Sequence, residues 1–141
     1  MNDMASRIEA LQAAGWRQRT LPGFAQRFGP LWTRREGDAW AYGVLATTEH
    51  LNPAGRVHGG ALCSLLDHAL STVAWEAAGR RPCVTVQLST QFLAAAGEGQ
   101  FLEARAQVTR MTSSLVFMHG SVTADAVELL QGSGVLKQMP A

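Results

Sequence analysis

The residues best suited to chemistry lie in one short stretch near the middle of the chain. His58 is followed by Gly59 and Gly60 at the predicted start of a helix. The first N–H groups of a helix lack partners within it, and the helix dipole favours negative charge there. Glycine also lets a ligand approach the backbone closely. These residues predict a site for an oxyanion, such as the one formed when a nucleophile attacks a carbonyl.

A carboxylate follows about two helical turns further along. Asp67 falls among the apolar residues Leu65, Leu66 and Ala69. A charge in such surroundings is costly unless it is partnered or used, so Asp67 is a candidate base or nucleophile. Each feature also has a simpler interpretation, because a glycine pair can form a tight turn, Asp67 can be a satisfied interface residue, and Asn52 can initiate a turn. The joint spacing favours a functional site.

These residues need a long helix to position them. An apolar face at helical spacing, ended by Gly79, predicts a helix over residues 60–78. The apolar face comprises Leu62, Leu66, Ala69, Val73 and Ala77. The other side carries Ser64, Asp67, His68 and Ser71. Such a helix buries one side and presents Asp67 on the other.

Alternating apolar and polar residues predict strands before and after this helix. The predicted strands are residues 31–36, 39–48, 83–93, 100–110, 114–124 and 127–138. Within the third strand, one face is predicted to hold Val84, Val86, Leu88, Thr90 and Phe92. The last four strands have short connections, with a turn at 97–99, so we expect an antiparallel meander.

The remaining predicted elements lie near the N-terminus. Residues 3–14 predict a short helix with Met4, Ile8 and Leu11 on one face, and residues 21–30, which are rich in glycine and proline, predict a loop. One sheet wrapped around one long helix buries both apolar surfaces with the fewest elements. The predicted fold class is therefore α+β, with a long central helix, an antiparallel sheet around it and a short N-terminal helix.

Length and composition limit the classes of protein. The 141 residues predict a single domain over residues 1–141, with 1–20 as an N-terminal helical extension. With 47% hydrophobic and 16% charged residues, the chain does not have the composition of a disordered protein. A net charge of +1 gives no electrostatic reason to expect nucleic acid or an anionic membrane as a partner. Cys63 and Cys83 are expected to be free, buried thiols.

Neither a signal peptide nor a membrane span is predicted. The N-terminus carries Asp3 and Glu9 and has no apolar region of the kind that a signal peptide needs. The most apolar stretch, 61–78, contains Asp67 and Glu76, which a membrane span would rarely tolerate. We therefore expect a cytoplasmic protein.

A motif and the strand after it carry a resemblance to a known family. The motif comprises Asn52, Gly55, Arg56, Val57, His58, Gly59, Gly60 and Asp67, and the strand runs from Val84 to Leu93. This pattern resembles the hotdog-fold acyl-CoA thioesterases of the phenylacetate-pathway (PaaI-like) family, over about residues 28–138. The resemblance implies hydrolysis of an acyl- or aryl-acyl-CoA, with no cofactor because coenzyme A is part of the substrate. It also implies homodimers with composite sites, often paired into homotetramers.

The resemblance implies a role for each residue of the motif. Gly59 matches the glycine whose N–H polarises the thioester carbonyl, and Asp67 matches the carboxylate that activates water or attacks directly. Asn52 matches an amide that helps to hold the water or the thioester. His58 has a mainly structural role in relatives, and Gly60 contributes to substrate binding together with Asn52 and His58. Asp67 is expected to face the partner subunit's Asn52 and Gly59.

Two hydroxyl groups compete for one further role. Thr85 aligns with a strand hydroxyl that positions water in some relatives, and Ser71 matches a hydroxyl used in a related hotdog branch. The chain departs from many relatives in its last hairpin, where they carry an Asp-Gly turn. Here the residues are Asp125, Ala126, Val127 and Glu128, so we expect a different turn.

Two other functions remain open at this point. A hydratase or dehydratase of enoyl or 3-hydroxyacyl thioesters would pair a histidine with a carboxylate, but the Pro-Gly-His-Phe-Pro-like motif of the fatty-acid dehydratases is absent. A non-catalytic acyl-CoA-binding protein would not need Asp67, Gly59 and Asn52 together. No histidine spacing predicts a metal site. Candidates for contacting coenzyme A phosphates are Arg34, Arg35, Arg80, Arg81, Arg105 and Arg110.

Overall fold

A computed structural model describes residues 3–140 and shows three helices and seven strands among them. The first part of the chain forms α1 (Asp3–Ala13), β1 (Arg17–Arg19), α2 (Phe24–Phe28), β2 (Leu31–Glu36) and β3 (Ala39–Leu45). A 3-10 turn (Thr48–His50) and a loop lead to the long helix α3 (Gly59–Ala77). The last part forms β4 (Cys83–Phe92), β5 (Phe101–Met111), β6 (Leu115–Ala124) and β7 (Val127–Gln138).

The strands form one antiparallel sheet in the order β1-β2-β3-β5-β6-β7-β4. The predicted α+β class is confirmed, since one long helix packs against this sheet. The predicted meander is correct for β5, β6 and β7 but wrong for β4, which pairs with β7 at the far edge. Residues 93–100 connect β4 to β5, and this segment is long enough to cross the sheet instead of closing a hairpin.

The main core lies between α3 and the sheet. The buried residues of α3 are Leu62, Leu65, Leu66, Ala69, Leu70 and Ala74. The predicted apolar face is correct at three of these positions, whereas Val73 is half-buried and Ala77 is exposed. Glycines on the strands leave room for the leucine side chains of α3. A Cβ atom at Gly132, for example, would lie 2.6 Å from Leu66 Cδ2. The strand positions under the helix therefore decide which face of α3 is buried.

A second, smaller core covers part of the opposite face of the sheet. It comprises Trp16, Trp32, Ala41, Leu45 and Phe101, with Ile8 and Leu11 packed against it. The predicted N-terminal helix is confirmed as α1, although Met4 is exposed. The strand β1 was not predicted, and residues 24–28 form a helix where a loop was predicted.

The edge strand β4 departs from simple alternation. Its pairing with β7 shifts register between Thr85 and Gln87. This irregularity turns Thr85 and Leu88 towards the interior, while Val84 and Val86 are exposed. The prediction of one shared face for Val84, Val86 and Leu88 is therefore wrong, because the apolar pattern does not reveal an extra residue in a strand.

The last hairpin has the tight turn that its sequence disfavours. Asp125 and Ala126 both adopt positive φ, 51° and 64°, which is the conformation that asparagine and glycine usually supply. The departure from the Asp-Gly turn thus changes the residue types without opening the hairpin. Cys63 and Cys83 are free, as predicted, but half-buried. No helix within residues 3–140 is long and apolar enough to span a membrane.

Candidate active site

The start of α3 offers one unpartnered backbone donor. His58 caps the helix, and its Nδ1 atom accepts a 2.7 Å hydrogen bond from the Gly60 N–H. The N–H groups of Ala61 and Leu62 donate to the His58 carbonyl. Within residues 3–140, the Gly59 N–H has no hydrogen-bond acceptor. Gly59 is therefore the position where the helix terminus can bind an oxygen, whereas the Gly60 N–H is occupied.

The loop before the helix is folded by Asn52. Its Oδ1 atom accepts hydrogen bonds from the N–H groups of Ala54 (3.0 Å) and Arg56 (3.1 Å). Gly55, at φ 81°, donates its N–H to the Asn52 carbonyl. The side-chain oxygen thus shapes the turn, which is the simpler of the two predicted roles. The Asn52 amide N–H groups have no acceptor among the described residues, so they remain able to donate to a ligand.

His50 holds this loop against the rest of the protein, a role that no motif or spacing around it predicts. Its Nδ1 atom accepts a hydrogen bond from the Thr47 N–H, and its Nε2 atom donates to the Phe28 carbonyl at 2.6 Å. Its own carbonyl accepts the His58 N–H. One buried imidazole therefore ties α2, the 3-10 turn and the start of α3 together.

Asp67 lies in a short chain of hydroxyl groups. The Thr85 hydroxyl donates to Asp67 Oδ1 at 2.7 Å, and the Ser71 and Thr85 oxygens are 3.4 Å apart. The hydroxyls predicted as competitors are therefore neighbours in one cluster. Among residues 3–140, no Lys, Arg or His side chain forms an ion pair with Asp67. Burial lowers the pKa of the adjacent His68, so its imidazole is neutral at pH 7.

The two parts of the predicted site are far apart within one chain. Asp67 follows Gly59 by eight residues on α3. Eight residues correspond to a rise of about 12 Å along a helix, which is too far for one substrate carbonyl to reach both groups. The structure brings Asp67, Ser71 and Thr85 together, and it separately places His58, Gly59 and Gly60 at the start of α3. The hydrogen bonds of Asn52 lie within the loop before this helix, so no contact joins it to Gly59 among the described residues.

A cavity of about 310 Å³ opens at the start of α3. Its lining is Phe24, Arg27, Phe28, Glu49, His50, Leu51, His58, Gly60, Ala61 and Ser64. Phe24 and Phe28 stack with ring centroids 5.8 Å apart. This wall was not predicted from the sequence, because residues 24–28 were expected to form a loop and not the helix α2. The spacing of two phenylalanines at i and i+4 between glycines was the available signal.

The arginines proposed to contact phosphates fall into two groups. Within residues 3–140, four of them bond to another side chain, whereas Arg35 and Arg110 do not. Arg34 and Arg105 are paired with Glu36, and Arg80 is paired with Glu76. Arg81 donates to the Met139 carbonyl and to Gln138. The guanidinium of Arg35 lies 5.4 Å from the centre of the Trp40 ring, and Arg110 is exposed on β5.

No three His, Cys, Asp or Glu side chains of the described part of the chain cluster as metal ligands would.

Comparison with known proteins identifies the family. The sequence model of the thioesterase superfamily matches residues 54–130, which include the start of α3, Asp67 and Thr85. The chain therefore belongs to the thioesterase superfamily, and the class of reaction is the hydrolysis of a thioester. A search of curated protein sequences gives no significant match.

Solved structures of related fold agree with this family. A phenylacetic acid degradation-related protein from Ralstonia eutropha is 23% identical, with a TM-score of 0.74 over 84% of this chain and 92% of that one. Zebra fish thioesterase superfamily member 2 is 20% identical, with a TM-score of 0.75 over 95% and 97%. A hypothetical thioesterase from Streptococcus pneumoniae, solved with coenzyme A, is 17% identical, with a TM-score of 0.67 over 77% and 85%. The hotdog fold is thereby confirmed, as is the resemblance to PaaI-like thioesterases.

Proposed function

We propose that this protein hydrolyses an acyl- or aryl-acyl-CoA to the free acid and coenzyme A. The observation that carries the proposal is Asp67, a half-buried carboxylate that receives one hydroxyl hydrogen bond and no ion pair from residues 3–140. Its second oxygen is free to accept a proton from water. The coenzyme A in the Streptococcus pneumoniae relative supports this choice of thiol. The reaction needs only the thioester and water, so the proposal includes no cofactor.

The proposed chemistry follows from these groups. Asp67 takes a proton from a water molecule, whose oxygen attacks the thioester carbon. The carbonyl oxygen becomes an oxyanion and accepts a hydrogen bond from the Gly59 N–H, with the helix dipole adding to its stabilisation. When the tetrahedral intermediate collapses, the C–S bond breaks. The departing thiolate takes the proton from Asp67, which restores the carboxylate.

This chemistry requires two subunits. The separation of about 12 Å between Gly59 and Asp67 in one chain is too large for a single thioester. We infer that Asp67 of one subunit acts with the partner subunit's Gly59 and Asn52. The Asn52 amide then donates to the water or to the thioester, and Thr85 and Ser71 hold Asp67. Each homodimer has two such sites, and pairing of dimers gives a homotetramer.

One edge of the sheet is suited to form the dimer. The strand β4 has ten residues, and among the strands of the described chain it pairs with β7 alone, so its other edge is open there. It exposes Val84 (50%), Val86 (57%) and Phe92 (54%). The opposite edge is the three-residue strand β1, with the charged sequence Arg-Gln-Arg, which resists pairing. We place the dimer contact at β4, next to Thr85 and hence to Asp67.

The cavity beside α2 is the proposed place of the acyl group. Apolar side chains of Phe24, Phe28, Leu51 and Ala61 form much of its lining. The lining includes His58 and Gly60, which flank Gly59 in the sequence, and we propose that an acyl group in the cavity directs its carbonyl towards the Gly59 N–H. Its volume of about 310 Å³ is sufficient for a short or aromatic acyl group.

Subunit exchange tests the shared site. Asp67→Asn and Asn52→Ala homodimers should each be nearly inactive with a panel of acyl-CoAs, assayed by thiol release. A heterodimer formed by mixing them has one intact site and one doubly damaged site, so activity should return on exchange. Exchange itself is checked by native mass spectrometry. If heterodimers form and activity stays at the level of the two parents, Asp67 and Asn52 belong to the same subunit's site and the proposal fails.

Isotope labelling tests the role of Asp67 in the same reaction. A single turnover in oxygen-18 water should place the label in the released acid and none in the protein, because water attacks the thioester. Direct attack by Asp67 would first form an anhydride, and attack of water at the Asp67 carbonyl of that anhydride would leave oxygen-18 in the Asp67 carboxylate. Mass spectrometry of the peptide that contains Asp67 separates the two results, and label in that peptide would contradict water activation.

A further inference from the structure

A second cavity lies on the other side of α3. It has a volume of about 300 Å³ and is bounded by β1, β2, β3 and the C-terminal half of α3. We call it the arginine pocket; its lining is Arg19, Thr33, Arg35, Trp40, Tyr42, Thr72, Glu76 and Arg80. Thr72 follows Asp67 by five residues, so the two side chains point roughly 140° apart around the helix. The pocket is thus separate from the Asp67 cluster.

Two arginines in this pocket carry unneutralised charge. The Arg19 and Arg35 guanidiniums lie 6.0 Å and 5.4 Å from the centre of the Trp40 ring. Their Nε atoms donate to the Thr33 hydroxyl and to the Gly37 carbonyl. Among residues 3–140, neither guanidinium forms an ion pair. The terminal nitrogens of both forks are therefore available to an anion.

The Tyr42 side chain supplies a buried donor to the same cavity. The residue is 3% exposed, and its ring packs edge-on against His68. Its hydroxyl has no hydrogen-bond partner among the described residues. Every fully buried side-chain oxygen or nitrogen of those residues has a partner, so the Tyr42 hydroxyl is not fully buried. The Tyr42 hydroxyl therefore reaches the cavity that it lines. Burial and Glu76 raise the pKa of Tyr42 to about 12, so the hydroxyl keeps its proton.

We propose that the arginine pocket binds a phosphate group. Two free guanidinium forks and a protonated hydroxyl offer several donors around one cavity, which matches the several acceptor oxygens of phosphate. The single carboxylate among the lining residues, Glu76, forms an ion pair with Arg80 at 3.1 Å. Trp40 holds Arg19 and Arg35 by cation–π contacts and so limits the entropy lost on binding.

The phosphate has two sources that share this chemistry. One is a phosphate of coenzyme A, in which case the pocket anchors the substrate of the proposed function at a distance from the thioester. The other is a free phosphate or nucleotide, in which case the pocket is a second ligand site. The inference goes beyond the proposed function because it concerns binding and does not require hydrolysis.

Isothermal titration calorimetry with matched variants tests the inference. The probes are inorganic phosphate, 3′,5′-ADP, coenzyme A and dephospho-coenzyme A, with acetate as the carboxylate comparison. Arg35→Gln should weaken binding of the phosphate probe at least tenfold, and Tyr42→Phe by about three- to tenfold. Lys137→Gln removes one positive charge from an exposed position on β7 outside the pocket and should leave the affinity within twofold. Tyr42→Phe keeps the ring and the fold, so it tests the pocket even if Arg35→Gln is unstable.

The probes distinguish a phosphate of coenzyme A from a free phosphate, and they show whether the arginine pocket binds phosphate at all. Inorganic phosphate that binds with this dependence on Arg35 and Tyr42 supports a free-phosphate site. Binding of coenzyme A that weakens when the 3′-phosphate is removed supports an anchor for the substrate. The absence of binding by every phosphate probe would overturn the inference, as would equal weakening by Lys137→Gln or a preference for acetate. Asp67→Asn should still bind the phosphate probe, so failure of the proposed hydrolysis is distinguishable from failure of this inference.

Discussion

Glu36 lies at the end of β2 and Asp67 on α3, and these two half-buried carboxylates have very different partners. Glu36 accepts hydrogen bonds from Arg34, at 2.6 Å and 3.1 Å, and from Arg105, at 2.9 Å and 2.8 Å. Both of its oxygens are used. Asp67 accepts one hydrogen bond, from the Thr85 hydroxyl, and has no ion pair within residues 3–140.

The difference separates a carboxylate that stabilises the fold from one that is free to react. Arg105 and Arg34 hold the pKa of Glu36 at about 2, so this side chain is ionised at neutral pH. Its charge stabilises the hydrogen bonds and ion pairs with these two arginines. Thr85 instead fixes one oxygen of Asp67 and leaves the other exposed to a ligand. A hydroxyl orients the carboxylate without neutralising it, which is what a general base requires.

The largest expected effect is on kcat, through loss of the hydrogen bond that stabilises the oxyanion formed when water attacks the thioester. In Gly59→Val, the side chain blocks the approach of the thioester to the N–H, so kcat should fall by about 10²–10³. A Cβ atom there meets only the exposed ring of Phe92, at 3.2 Å, so the fold should survive. Gly97→Val is the matched control, because nothing lies within 4 Å of its Cβ position. Wild-type kcat in Gly59→Val would refute the oxyanion assignment.

The direct comparison is between Asp67→Asn and Glu36→Gln. Each change keeps the shape and removes the charge. In Asp67→Asn, kcat should fall by about 10² or more with little change in substrate affinity, because the carboxylate acts mainly in the transition state. Glu36→Gln should keep wild-type kcat. Steady-state thiol release measures both, and a structural role for Asp67 would instead give unstable protein whose folded fraction retains normal kcat.

A smaller effect is expected from the hydroxyl that holds Asp67. Thr85→Val keeps the side-chain shape and removes the donor, so kcat should fall by roughly tenfold with KM nearly unchanged. Thr85→Ser should restore most of the activity. Thr109→Val is the matched control, because Thr109 is an exposed threonine on β5 that does not line the arginine pocket. If Thr85→Ser is as slow as Thr85→Val, the hydroxyl does not position Asp67.

The smallest effect is on stability and its dependence on pH. The folded-state pKa of Glu36 is lowered from 4.5 to about 2, so its stabilisation is complete above the unfolded value and is lost as pH falls towards 2. Glu36→Gln should therefore cost about 1–2 kcal/mol at pH 7, after allowing for solvent screening. The gap between the variant and the wild type should narrow between pH 4.5 and pH 2 in urea denaturation. A constant gap would show that the charge of Glu36 contributes nothing.

Much of the fold could be predicted from local patterns. Helix α3 begins and ends within one residue of the prediction, and β2 has the predicted bounds, because periodicity and glycine reflect forces that act along a short segment. The helix α2 could not be predicted with the same ease, since one turn flanked by glycine and proline gives little periodicity. The place of β4 depends on which strand lies beside it, and no local pattern encodes that choice.

The sequence alone determined the residue types of the site, because glycine lets a ligand approach the helix terminus closely and a carboxylate among apolar residues needs a partner or a use. The tertiary structure decided how they are used. It placed Thr85 against Asp67 beside a register shift in β4 and paired the Gly60 N–H with His58, while the Gly59 N–H has no acceptor within residues 3–140. Within the same residues Arg35 forms no ion pair, whereas Arg34, its neighbour in sequence, pairs with Glu36, because adjacent residues of a strand point to opposite faces of the sheet.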